Sequence, residues 1–155
     1  MAFIDGLYRF AASLLIERPA RKRTLAELIA ELELSGQTAE ERIAAASDNP
    51  DNRRTLCHII SIERWGQPRL IVPLGEPFVM DESDQYCPDE DSEWDELADT
   101  FRTTRRETVT LARQLQDEGI DPGAKVPHNQ WGPFSVAGWL YYLNYHSNDH
   151  GKKIT

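Results

Sequence analysis

Residues 94–115, WDELADTFRTTRRETVTLARQL, place Trp94, Leu97, Phe101, Thr104, Thr108, Leu111 and Leu115 at spacings of 3, 4, 3, 4, 3 and 4. A helix advances ~100° per residue, so these side chains form one stripe, the a/d pattern of a bundle helix. Ser92 or Asp91 is expected to cap its start, and Gly119 with Pro122 to stop it. Such a stripe needs other helices to cover it.

The flanking sequence supplies them. Downstream, a helix beginning near Pro133 or Ser135 presents Val136, Trp139 with Leu140, and Leu143 on one face. Upstream, Phe3, Leu7, Phe10 and Leu14 predict a buried helix face, and "RPARKR" with Pro19 interrupts it. Leu25, Leu28, Ile29 and Leu32 resume the helical period. Gly36 is expected to break the chain, with Thr38 and Glu41 boxing the start of a short further helix. "DNPDNRR" opens another helix through "TLCHIISIERW", expected to weaken at Gly66 and Pro68. Residues 67–91 read as a long connection with an extended start. The expected architecture is all-α: one 1–155 domain forming a four-helix bundle. A long crossover joins its second and third main helices, and short extra helices lie near the N-terminus.

Charge narrows the partners. Ten acidic side chains and no Lys or Arg lie within residues 81–99, leaving 17 basic and 16 acidic residues elsewhere. A phosphate backbone needs a basic surface, so nucleic acid is not an expected partner. The acidic run lacks the ordered ligands of an EF-hand and reads as a solvated loop entering a helix. No apolar run reaches the ~20 residues of a membrane span, and "MAFIDGLYRF" is unlike a signal peptide. A cytoplasmic location and no membrane partner are expected. Cys57 and Cys87 form neither a disulfide framework nor a CxxC pair.

The last stripe ends unusually. After Leu143 it continues in phase with His146 and His150, about 40° apart on the helix. Two imidazoles on a core face need more hydrogen-bond partners than helical backbone supplies, and one divalent metal satisfies both. A third ligand is sought elsewhere. His58 shares a helix face with Ile62 and Trp65 and so is expected to point inward; His128, in the loop "KVPHNQWG", is the alternative or a substrate-facing group. Three histidines leave coordination positions open. The plainer reading is a solvated helix end, with His favoured there by the helix dipole and Lys152 and Lys153 following. Ser147 stands where a zinc-protease motif would carry its Glu.

"LCHIISIERW" (56–65), a long crossover, and "WGPFSVAGWLYYLNYHSNDHGKKI" (131–154) together resemble the DinB-like superfamily. The resemblance runs from about residue 50 to the end. Relatives usually open with one long helix, whereas "RPARKR" and "LSGQTAEE" break up the first 49 residues here. The resemblance implies a four-helix bundle holding one divalent metal, commonly nickel or zinc, on His58, His146 and His150. It further implies a transferase or isomerase activating a low-molecular-weight thiol, such as mycothiol, bacillithiol or glutathione. A small-molecule substrate and a homodimer follow from it. A metal-bound thiol loses its proton near neutral pH, which makes the chemistry coherent. The alternatives are a metal-dependent hydrolase, a non-catalytic metal-binding bundle, and an interaction bundle whose histidines are incidental.

Other residues carry plainer expectations. Glu63 lies about 140° from His58 and reads as a surface charge flanked by Arg64, or as an interhelical partner. Asn148 and Asp149 read as a solvated helix end. Trp131, Trp139, Tyr141, Tyr142 and Tyr145 read as packing residues. Cys57 reads as a small buried hydrophobe and Cys87, among acids, as a poor nucleophile. Arg18, Arg21, Lys22 and Arg23 read as solvated charge.

Overall fold

In a computed structural model, residues 2–89 and 91–155 are described, with side chains from Gly6 onward. Five helices form a bundle with one small hairpin. Helix α1 runs as Ala2–Ala12, a π-helical turn Ser13–Glu17, and a last turn Arg18–Ala20. Then follow α2 (Leu25–Ala45), α3 (Pro50–Ile71), α4 (Trp94–Asp117) and α5 (Val136–Gly151). Strands β1 (Lys125–His128) and β2 (Gly132–Ser135) pair antiparallel ahead of α5, with Val126 opposite Phe134.

The four long helices close in the ring order α2, α4, α3, α5, so α2 sits diagonally from α3 and α4 from α5, while α3 and α4 are neighbours. Each start is capped locally. Thr24 Oγ1 accepts the Glu27 N–H while Glu27 accepts the Thr24 N–H. Asn49 accepts from the Asn52 N–H ahead of Pro50, and Ser135 accepts from the Gly138 N–H. The crossover of residues 72–93 joins α3 to α4 through two 3₁₀ turns, Val72–Leu74 and Ser83–Tyr86. The bundle with its long crossover is as expected. The α4 stripe is buried at Leu97, Phe101, Thr104, Thr108 and Leu115, with Trp94 and Leu111 half-buried.

Several local expectations give way to packing. Leu7 and Phe10 are 59% and 63% exposed, and Leu14 is exposed too; the Phe3 side chain lies outside the described residues. The buried face of α1 is instead Ala12, Ile16 and Ala20. Ala12 and Ala20, on either side of the buried Ile16, let α1 lie close to α5 and the hairpin. The N-cap of α4 is Glu93, boxed with Glu96, rather than Ser92 or Asp91. Pro133 belongs to β2, so α5 starts after Ser135. The hairpin itself was not foreseen: its strands are four residues long, too short for alternation to register.

Gly36 does not break α2, and no separate helix starts at Thr38. A Cβ there would stand 2.9 Å from Arg105 Cγ, so the glycine is a gap through which an arginine crosses. Helix α3 likewise runs past Gly66 and Pro68 to Ile71. A Cβ at Gly66 would stand 2.5 Å from Leu143 Cδ2, making Gly66 the point where α5 approaches. Pro68 removes one helical N–H, yet Gln67 donates to Thr104 O and Thr108 Oγ1 and ties the turn to α4.

Arg105 is itself buried. Its Nε and Nη2 donate to Glu63 Oε1 and Oε2 at 2.7 and 2.9 Å, and Nη1 donates to Leu32 O and Ser35 Oγ. The side chains of this pair are only 4% and 2% exposed, so Glu63 is not a surface charge. Arg105→Met should therefore cost about 3–5 kcal/mol in denaturant unfolding, because it strands a buried carboxylate. Much of that loss should return in the double variant with Glu63→Leu.

A second buried carboxylate makes the fold acid-sensitive. Glu17 accepts from Ser135 N–H at 2.7 Å, Ser135 Oγ and Lys125 Nζ, at the start of α5. Burial alone would raise its pKa; the Lys125 and Ser135 donors outweigh burial and hold it below 4.5. A carboxyl lowered by folding contributes stability above its unfolded pKa and loses it as pH falls through the folded value. Stability followed by denaturant midpoint should thus drop below about pH 4.5, with a shallower slope in Glu17→Gln.

Candidate metal centre

The seam between α3 and α5 carries three of the chain's four histidines. From α3 come His58, Ile62 and Trp65; from α5 come Trp139, Tyr142, His146 and His150. The His58 and His146 rings lie 4.9 Å apart, His58 and His150 4.7 Å, and His146 and His150 4.4 Å. His58 Nε2 and His146 Nε2 are 3.1 Å apart, and one nitrogen from each ring falls within 4.8 Å of the others. His146 and His150 are half-buried, continuing the core face as expected. His58 is exposed rather than inward, so the group opens to solvent on the α3 side.

The last turn of α5 is held in place from below. Ile154 packs among Ile43, Leu56, Ile59 and Phe101. Asn52 Nδ2 donates to Thr155 O at 2.6 Å, and Asn52 Oδ1 accepts the Thr155 N–H. The chain beyond His150 is therefore clasped to the start of α3, the helix that carries His58.

All three imidazoles are held below 6.5. Desolvation leads in each case. His150 and His58 add repulsion at His146, which is pushed down to about 3; His150 and Lys153 depress His58. Lys153 also lowers His150, with Asp149 opposing. Neutral imidazoles keep a lone pair free for a ligand bond. Two nitrogens bound tetrahedrally at ~2.0–2.1 Å stand ~3.3–3.4 Å apart, close to the 3.1 Å seen between His58 and His146. The donor set fits a divalent metal of the imidazole-binding kind, and the exposed edge leaves room for further ligands.

The other singled-out residues lie elsewhere. His128 ends β1 rather than lying in a loop, and it does not join the cluster: Tyr142 stands between, its ring 5.3 Å from His128 and 5.9 Å from His146. Glu63 turns away to Arg105. Asn148 and Asp149 are exposed, as a solvated helix end should be. Cys57 is half-buried against the Ile43 and Leu56 cluster, and Cys87 is exposed, 3.6 Å from Ser61 Oγ. Arg21 pairs with Glu17, and Arg23 pairs with Glu31 and covers the Tyr141 ring. Sequence reasoning missed Arg69, which is 1% exposed. It lies 4.0 Å over Trp65 and is paired with Asp81 at 2.7 Å.

A family model described as the DinB superfamily matches residues 52–154, about two thirds of the chain. The chain belongs to the DinB superfamily. The matched span takes in α3, the crossover, α4, the hairpin and α5, and so contains all three histidines of the cluster. No curated protein and no solved structure matches the chain. Among the described residues, no helix is long and apolar enough to cross a membrane.

Protons compete with metal for imidazole, so lowered pKa values move that competition to lower pH. Zinc uptake measured by calorimetry should stay level from about pH 8 down to 6.5 and decline only below that, as protonation of His58 and His150 sets in.

Proposed function

We propose that this DinB superfamily protein is a metal-dependent transferase. His58, His146 and His150 would hold one divalent metal, zinc or nickel, and a low-molecular-weight thiol would bind it. The observation that carries the reading is the three-imidazole cluster with one side exposed to solvent. A closed structural site takes four protein ligands, whereas three leave a position for a reacting group. The metal would supply charge that lowers the thiol pKa and so a thiolate near neutral pH.

The protein's own residues have definable parts. Burial and mutual repulsion keep the imidazoles neutral and ligand-ready. Tyr142 lies inward of the cluster, its ring 5.9 Å from His146, and gives that imidazole an aromatic neighbour on the core side. Lys153 carries positive charge beside the rings and favours a negatively charged sulfur. Glu63, the acid nearest His58 in sequence, is committed to Arg105 through both oxygens and does not stand ready as a base for water.

Elemental analysis of the wild type should give about one metal per chain, with His58→Ala and His146→Ala losing at least tenfold in affinity. Cobalt-loaded protein should then develop a sulfur-to-metal absorption band on addition of glutathione or cysteine. Metal bound without any thiol band would leave an inert site and defeat the transferase reading.

A further inference from the structure

Helix α1 leaves most of its apolar surface uncovered. It buries Ala12, Ile16 and Ala20 against the rest of the chain, while Leu7, Tyr8, Phe10, Leu14 and Leu15 are 40–63% exposed. Single exposed leucines are ordinary on a protein surface, but five large apolar side chains on little more than two turns make a contiguous patch. Leu7, Phe10, half-buried Ala11 and Leu14 stand at i, i+3, i+4 and i+7, the spacing of a helix face that packs on another helix.

Charge divides the same helix along its length. Past Leu15 it turns basic: Arg18, Arg21 and Lys22 are exposed, and neither Arg18 nor Lys22 is paired with an acid among the described residues. The N-terminal half instead borders the acidic crossover, by way of the hairpin turn. The Tyr8 ring lies 6.3 Å from that of Trp131, and Trp131 lines a small cavity together with Glu82. Glu82 and Asp84 are exposed, and neither is paired with a Lys or Arg among the described residues.

We infer that this face is a homotypic interface, at which two copies of the chain pair their α1 helices antiparallel about a two-fold axis between Phe10 and Ala11. Such an axis sets Leu7 against Leu14 of the second copy and Phe10 against Ala11, so each patch covers the other, large residue over small. It also carries each basic end to the N-terminal half of the other α1, beside the acidic crossover. Parallel helices would put basic end on basic end. A lipid surface fits less well, because anionic headgroups that attract the basic end would repel Glu82 and Asp84 near the other. The histidines take no part. Glu17 docks α1 at Ser135, the start of α5, whereas His146 and His150 lie toward the far end of that helix.

Sedimentation equilibrium of the full chain should give a dimer at micromolar concentration. Phe10→Glu should weaken it at least tenfold with the circular dichroism spectrum unchanged, because that side chain is exposed in the single chain. Leu34→Glu, at a similarly exposed leucine on α2, should leave the dimer as it was. Arg18→Glu with Lys22→Glu should also weaken it. Adding Glu82→Lys and Asp84→Lys should then restore it, because the exchange re-forms the same pairs with opposite sign. A wild type that stays monomeric, a dimer that Phe10→Glu leaves intact, or a charge exchange without rescue would overturn the interface. So would monomers that sediment with phosphatidylglycerol vesicles, which would assign the face to lipid.

Discussion

One arginine holds the four long helices in register. Arg105 leaves α4, passes through the gap at Gly36 in α2, and meets Glu63 of α3 with both oxygens engaged. Its remaining nitrogen reaches Leu32 O and Ser35 Oγ, and Ser35 in turn donates to Asn144 Oδ1 of α5. A buried ion pair is seldom a large net source of stability, because desolvation offsets much of the attraction. What it does is punish misalignment, since any slip of one helix leaves a charge or an acceptor unmet in low dielectric. Glu63 lies five residues from His58 and Asn144 two from His146. The network thus fixes the relative setting of the two helices whose seam carries the histidines.

A second buried arginine does the same for the crossover. Arg69 pairs with Asp81, while Trp65 Nε1 and Asn129 Nδ2 both donate to Asp81 O, at 3.1 and 2.8 Å. Tyr86 donates to the Asp81 carboxylate as well. Burial raises the Asp81 pKa, but Tyr86 and Arg69 outweigh it, so the carboxyl stays ionised and the pairing holds near neutral pH. A long link is thereby pinned to both α3 and the hairpin turn. Those bonds, together with Ser61 Oγ donating to Ser83 O and Asn129 Nδ2 donating to Glu82, fix the wall that Glu82 and Ser83 give the small cavity beside His128.

The sequence made α4, α5 and the His146–His150 pair readable because each rests on a period within one element, and a period survives without knowledge of neighbours. It concealed whatever depends on two elements at once. Gly36 looks like a helix breaker until Arg105 is known to cross there; Pro68 looks like a stop until Gln67 is seen bonded to α4. Glu63 sits off the His58 face and so read as surface charge, though its partner lies 42 residues away. On α1 the stripe was real but the wrong way round. Leu7, Phe10 and Leu14 are apolar in phase, yet the close approach to α5 selected the alanine face. His58 was placed correctly in the group but not in depth, because its burial depends on how far α5 extends past it.

The exposure of His58 and the enclosure of His128 are complementary facts about one seam. A metal that is to exchange ligands needs an open edge, and an imidazole in water supplies one. An imidazole that closes a turn can sit in the opposite setting: His128 is packed among aromatic rings while its Nδ1 accepts the Gln130 and Trp131 N–H groups. Both conditions occur within two helical turns on α3 and α5, with Tyr142 in contact with the rings on either side. The helix period allows this: residues at i, i+4 and i+7 share a face while stepping from the surface toward the core. His58, Ile62 and Trp65 make that descent on α3, and His146, Tyr142 and Trp139 match it on α5. The gradient from exposed imidazole to buried aromatic is therefore a property of the seam, set by where the two faces cross and held there by Arg105.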